Sequence, residues 1–226
     1  MADRAAIDIA WRADAAERSQ RRSGAIIRVD DEGEFMPTET WEDPGFPVSP
    51  DPAAGGIGIR DAQRFCLWLT WREQGEGRLR PGQRYRLPTT AEWLTACGGE
   101  DAPLRPGNLA GTEVGGASWP DNWETFADPD PFPGLAPVAS FPAEQHGLFD
   151  LSGNVSEWVQ DEAENTAGRD RLSRAKLRGP SARVGSPERA SFVFLRPVHY
   201  SNRLPFAGFR PVLELEAAPG DVPSEG

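Results

Sequence analysis

The sequence predicts an α+β domain: two main helices and short antiparallel strands set among long irregular loops. Three observations point there. The 226 residues include 22 Pro and 24 Gly, a density of turn formers that breaks a chain into short elements. Eight Trp and 11 Phe supply the bulk of a packed core, which disordered chains lack. Two stretches in the body of the chain have the periodicity and the end signals of helices. The length suits one sizeable domain with extensions. The boundaries read as a helical extension over 1–24, a domain over 25–215 and an acidic tail over 216–226.

Residues 1–22 form an amphipathic pattern, with Ile7, Trp11 and Ala15 at i, i+4 and i+8. Such a stripe packs on its own domain or docks a partner. AIIRV (25–29) reads as a short strand, and PGFPVSPDPAAGG (44–56) is turn chemistry. RDAQRFCLWLTWREQ (60–74) predicts a helix with Phe65, Cys66 and Leu69 on one face, stopped by Gly75 and Gly77. In YRLPTTAEWLTACGGE (85–100), Leu87-Pro88 is an entry turn. Thr89 and Glu92 make a capping box, so a helix starts near Thr90 and ends at Gly98-Gly99. The loop over 101–142 contains Trp119 and Trp123 and needs something other than a ladder to hold it, either aromatic plugs or a bound ion. SFVFLR (191–196) and GFRPVLEL (208–215) are strand-like, and EAAPGDVPSEG (216–226) has the composition of a disordered tail.

Charge narrows the function classes. A net charge of -11 disfavours nucleic-acid backbones and anionic membrane surfaces, and permits a cation or a basic protein partner. The N-terminal stretch has no signal-peptide h-region, and no run of about 18 apolar residues offers a membrane span. The default location is the cytoplasm. Two cysteines, Cys66 and Cys97, sit in apolar helical segments and read as buried thiols.

One segment stands apart. GLFDLSGNVSEWVQD (147–161) places Asp150 and Glu157 inside an apolar frame. Such acids need a purpose: chemistry, a metal, or a turn in which backbone N–H groups or an Arg hold them.

Several phrases carry a family resemblance, in order: WEDPGFP (41–47), RDAQRFCLWLTWREQ, YRLPTTAEW, APVASFPAEQHGLFDLSGNVSEW (136–158) and GFRPVLEL. From about Thr40 to Leu215 the chain resembles the formylglycine-generating-enzyme, or sulfatase-modifying-factor, family. That resemblance implies an irregular C-type-lectin-like fold. The family's early strands are not recognisable, so residues 1–39 replace or abbreviate them.

Members of this family oxidise a substrate cysteine to formylglycine with two copper-binding cysteines that closely follow a GGS phrase. The matching stretch here is RGPSARVGSPERASFVFLRP (178–197). Val184 and Arg189 stand where those cysteines would fall, and neither side chain binds copper. The resemblance therefore implies no copper and no oxidase activity. A second branch of the family uses an iron-binding helical domain, and this chain offers only His146 and His199. No Ser lies in a nucleophile-elbow context.

The resemblance also implies structural calcium. One site would use the Asp150 and Glu157 side chains with the carbonyls of Gly153 and Val155. A second would use Asn108 and Asp130 with the carbonyls of Leu109 and Phe132. Calcium takes several hard oxygens in flexible geometry, which turns of this kind supply.

The expected working face is 178–207, the family's active or ligand-binding face. It carries Arg183, Arg189, His199, Tyr200, Asn202 and Arg203, a basic and aromatic set on an acidic protein. Arg196 and Arg210 match family arginines and read as structural. The expected function is a non-catalytic binding or scaffold subunit that meets other protein chains through this face and through Trp11 of the extension. The alternatives are a ligand-display protein of the retroelement-diversified lectin type and an enzyme with a diverged, copper-independent site.

Overall fold

The structure is a computed structural model that describes residues 26–29, 35–39, 53–114, 123–160, 174–192, 196–199 and 202–215. The expected N-terminal helix with Trp11, the WEDPGFP phrase, Trp119, Tyr200 and the acidic tail lie outside the described residues. Strands β1 (Ile26–Val29) and β2 (Phe35–Glu39) form an antiparallel hairpin with a bulge between Ile26 and Ile27. Helix α1 (Ile59–Gly75) leads to β3 (Arg84–Arg86) and helix α2 (Thr90–Cys97). After a long irregular passage come β4 (Ser156–Val159), β5 (Arg174–Arg178), β6 (Arg196–His199), β7 (Ala207–Gly208) and β8 (Val212–Glu214). The main sheet has the order β6-β5-β4-β7, antiparallel except for β4-β7. β3 pairs antiparallel with β8, tying the segment between the helices to the last described strand.

Both helices form where the sequence places them. The Thr89 side chain accepts the Glu92 N–H, and the Glu92 carboxylate accepts the Thr89 N–H at 2.8 Å, so the expected capping box is complete. Gly98 ends α2 at φ 97°, the left-handed conformation that only Gly adopts freely. Arg86 adds a bidentate pair to Glu92, both contacts at 2.7 Å.

Two strand expectations need correction. Ser191 and Phe192, the first two residues of SFVFLR, lie in a turn, and β6 starts at Arg196, its last residue. Phe192 is instead consumed by the core, edge-on to Trp93 at 5.9 Å between ring centroids. The SEWV run, expected as part of a turn, forms β4 inside the main sheet.

β4 organises the core because successive side chains of a strand point to opposite faces. Trp158 is fully buried among residues of α1, β5 and β6, including Ile59, Cys66, Leu177 and Val198. Val159 packs with Trp93, Leu94, Cys97 and Leu151. Thus β4 separates an α1 core from an α2 core. Glu157 shares the parity of Val159 and faces α2. Val155, just before the strand, joins a third cluster with Leu135, Ala182 and Phe206.

Removing the cap hydroxyl with Thr89→Ala should cost about 1 kcal/mol in chemical denaturation. Hydrogen bonds from Arg86 hold the Glu92 carboxyl down at about 2, against an ordinary value of 4.5. A depressed carboxyl stabilises above its unfolded pKa and loses that contribution as pH falls toward the folded one. Glu92→Gln should therefore melt below the parent at neutral pH, and the gap should narrow between pH 4.5 and about 2 in melting curves taken across this window.

Candidate functional site

The segment 147–161 acquires its geometry from Gly153, Asn154, Glu157 and Trp158. Gly153 lies so close to Asn108 that a Cβ there would sit 2.7 Å from the Asn108 backbone nitrogen. Asn154 adopts φ 68°, a left-handed conformation that Asn tolerates better than most residues. Its Oδ1 accepts from the Ala136 N–H at 3.0 Å and from the Asn108 Nδ2 at 3.1 Å. Its Nδ2 donates to the Ala136 carbonyl at 3.2 Å, and its own N–H donates to the Asn108 carbonyl at 2.8 Å. The Ala182 N–H donates to the Asn154 carbonyl at 3.0 Å. One buried residue thus holds three loops, including both ends of the long 101–142 passage. The sequence reading assigned Asn154 no role, although the Gly-Asn pair was the available signal. Phe132 lies edge-on to Phe141 at 6.1 Å, an aromatic contact within the loop that was expected to be held by aromatic plugs or a bound ion.

Glu157, expected as a cation ligand, receives donors from two side chains. Its Oε2 accepts from the Trp93 Nε1 at 2.8 Å and from the Arg210 Nε at 3.1 Å. Its Oε1 accepts from the Arg210 Nη2 at 2.9 Å. The same nitrogen reaches the Phe149 carbonyl at 2.8 Å. Burial works against the charge of Arg210, but the Glu157 carboxylate more than offsets this and leaves the guanidinium pKa raised. Asp150 lies nearby at φ 63°, and one of its oxygens accepts the Ala139 N–H at 2.8 Å. Its other oxygen is buried without a hydrogen-bond partner. Burial raises the Asp150 carboxyl pKa above its ordinary value, with Glu157 and Glu144 adding like charge. The arrangement is the one in which an Arg holds the Glu.

The Asn108–Asp130 corner presents a second group of oxygens. The two residues meet through the Leu109 N–H, which donates to Asp130 at 3.1 Å, and the Phe132 N–H donates to the other Asp130 oxygen at 2.7 Å. The Asn108 Oδ1 is buried without a hydrogen-bond partner, and its Nδ2 is fixed by the Gly134 carbonyl at 2.8 Å. Burial raises the Asp130 carboxyl pKa, and Glu113 adds to it. A hard cation would relieve both costs. Its oxygens would come from Asn108 and Asp130, whose carboxylate keeps lone pairs beyond its two amide contacts. Among the described residues, no group of three or more His, Cys, Asp or Glu is placed to hold a metal through side chains alone.

On the 178–207 face, Val184 and Arg189 occupy a tightly turned segment. The Val184 N–H donates to the Ser181 carbonyl at 2.9 Å, and the Val184 carbonyl accepts from Ala110 at 3.0 Å. Arg189 is exposed. Arg183 stacks on Trp123 at 4.6 Å and on Phe206 at 5.4 Å. Arg203 pairs with Asp61 of α1, so it braces this face to the helix rather than lying open on it. Asn202 is half-buried, and His199 is described only as backbone in β6. His146 is exposed in a 3₁₀ turn. The two cysteines lie in different cores, Cys66 against Trp158 and Cys97 against Trp93. Burial raises both thiol pKa values, that of Cys66 to about 11, so both resist forming the thiolate.

Two helices, short antiparallel strands and side-chain-tied loops define an irregular, C-type-lectin-like α+β domain. The family model for the sulfatase-modifying factor enzyme 1-like domain matches residues 18–215. The chain belongs to that family, the formylglycine-generating-enzyme-like proteins. It is 32% identical over 133 residues to the formylglycine-generating enzyme of Bos taurus, covering 54% of this chain and 31% of the relative. It is 34% identical over 134 residues to the inactive C-alpha-formylglycine-generating enzyme 2 of Mus musculus, covering 55% and 42%. The chain therefore spans less than half the length of either relative. The structure of PvdO from Pseudomonas aeruginosa shares the fold at a TM-score of 0.57 and 21% identity, covering 89% of this chain and 76% of that one. No helix among the described residues is long and apolar enough to cross a membrane.

Asn154→Ala removes three side-chain hydrogen bonds and leaves buried partners unmet, so it should destabilise the chain by about 3 kcal/mol in denaturant titrations. A loss below that of an ordinary surface substitution would contradict the bridging role of Asn154.

Proposed function

We propose that this chain is a non-catalytic member of its family that serves as a binding or scaffold subunit. One observation carries the reading: Val184 and Arg189 stand where the resemblance places the copper-binding cysteines. The two cysteines present are buried in separate cores, where neither is poised to bind copper. The family also includes proteins named inactive, such as the mouse relative, which supports a role without oxidase chemistry. In this reading the face around Arg183, Arg189 and Asn202 meets a partner protein, with Trp11 of the extension as a second contact. Arg and aromatic side chains make favourable anchors there, and the Arg183–Trp123 stack is already ordered for contact.

The experiment is purification of the full chain from its native source, with Arg189→Glu as the comparison. A partner chain should co-purify in fixed proportion with the parent and be lost with the variant. Recovery as a lone monomer, or copper-dependent oxidation of a cysteine peptide, would overturn the reading.

The same reading includes a structural calcium at Asn108 and Asp130, supported by the buried, unpartnered Asn108 Oδ1. EGTA should lower the melting temperature of the parent and leave that of Asp130→Asn unchanged. Equal curves for the parent with and without EGTA would remove calcium from the proposal.

A further inference from the structure

The Asn108–Asp130 corner holds a third polar side chain, Glu113, to which the family resemblance assigns no role. The Glu113 Oε2 accepts from the Asp130 N–H at 3.0 Å, and its Oε1 accepts from the Gly111 N–H at 2.8 Å. Asp130 answers from the other side, taking the Leu109 N–H at 3.1 Å and the Phe132 N–H at 2.7 Å. Each carboxylate thus captures an amide of the other's segment. Gly111 makes the approach possible, because a Cβ there would run into the Glu113 carboxylate and the Asp128 carbonyl. Two half-buried carboxylates therefore lie side by side, and every oxygen of the pair has one amide donor. A carboxylate accepts at about four positions, so each oxygen keeps a free lone pair. Among the described residues neither acid forms an ion pair with Lys or Arg. The surplus of oxygen is not a matter of acids alone. Asn108 is 1% exposed, and its Oδ1 has no hydrogen-bond partner.

We propose that Glu113 sets the affinity of this corner: it adds the second negative charge to a divalent-cation site built on Asn108 and Asp130. The inference rests on the calcium reading given above and extends it to a residue outside the expected ligand set. Calcium sites are tuned by the number of charged groups around the ion and by the rigidity of the loop. Asp130 is the single charged group of the expected set, whose other oxygens are neutral. Glu113 changes both terms. Its charge lies beside that of Asp130, and like charges so close repel unless a cation answers them. Its hold on the Asp130 N–H also fixes where the Asp130 carboxylate sits. A cap that only closed the turn would be served by a neutral acceptor, so the charge of Glu113 is the feature to test.

The test titrates the purified full chain with calcium chloride by calorimetry and records melting in EGTA and in millimolar calcium. The calcium lost in Asp130→Asn identifies the corner. Glu113→Gln should weaken that calcium about tenfold and shrink the rise in melting temperature that calcium produces. A Glu113→Gln chain that binds calcium as tightly as the parent would overturn the proposal, whatever its melting temperature in EGTA, because Glu113 would then be a turn cap only. Glu113→Asp and Glu113→Ala give a second contrast if Glu113→Gln does not fold. Both shorten the side chain and disturb the turn, but only the first keeps the charge. Glu113→Asp should hold calcium more tightly than Glu113→Ala, and equal affinities would overturn the proposal. Failure of the underlying calcium reading has a different signature: the parent and Asp130→Asn would bind calcium alike, and both readings would fall together.

Discussion

The Glu157–Arg210 pair is the interaction on which the rest of the domain depends. A carboxylate buried between two apolar cores is costly, and this one is compensated by a bidentate guanidinium and an indole N–H. The donors and the carboxylate come from three distant parts of the chain. Trp93 brings α2, Arg210 brings the segment between β7 and β8, and Glu157 itself belongs to β4 inside the main sheet. Through Phe149 the same guanidinium fixes the turn that precedes β4. Buried ion pairs add little net stability compared with good apolar packing, but they are specific, because breaking one strands a charge. Here the pair ties β4 to the segment that follows β7.

A second constraint works on the loops. With so few ladder hydrogen bonds, the long passage between α2 and β4 is held by side chains bonding to backbone. Asn154 contributes to this, joining the Asn108, Ala136 and Ala182 segments. The close approach of Gly153 to the Asn108 backbone lets these segments meet. Gly and Asn therefore act as a pair: one permits the contact and the other bonds across it. A loop tied this way can vary along its length and still present a fixed face, which suits a fold that hosts unrelated functions.

The residues that build the domain are present, from the capping box to the GFR phrase. The positions of the metal-binding cysteines lie on a turned segment that is bonded to Ala110 and Ser181 through its backbone. Because that segment is shaped by main-chain contacts, its side chains can be exchanged without disturbing the fold. Val184 and Arg189, which stand where the resemblance places the copper-binding cysteines, lie near an Arg stacked on aromatic rings.

Much of this was legible in the sequence because it is local. The α2 cap needs only Thr89 and Glu92 three residues apart, and α1 shows its period and its Gly stop. The family phrases follow one another in order, so the family and the α+β class could be read directly. The absence of cysteines at positions 184 and 189 was equally visible. The strands were harder: β4 is too short to show an alternation, and Phe192 looked like strand until Trp93 claimed it. The sequence also left Glu157 with several possible partners, a metal ion, backbone N–H groups or an Arg. Only the tertiary structure shows which side chains reach it, because the lone pairs of a carboxylate go to whatever donors the fold brings within 3 Å or so. The donors that arrived, Arg210 and Trp93, lie 53 and 64 residues away along the chain.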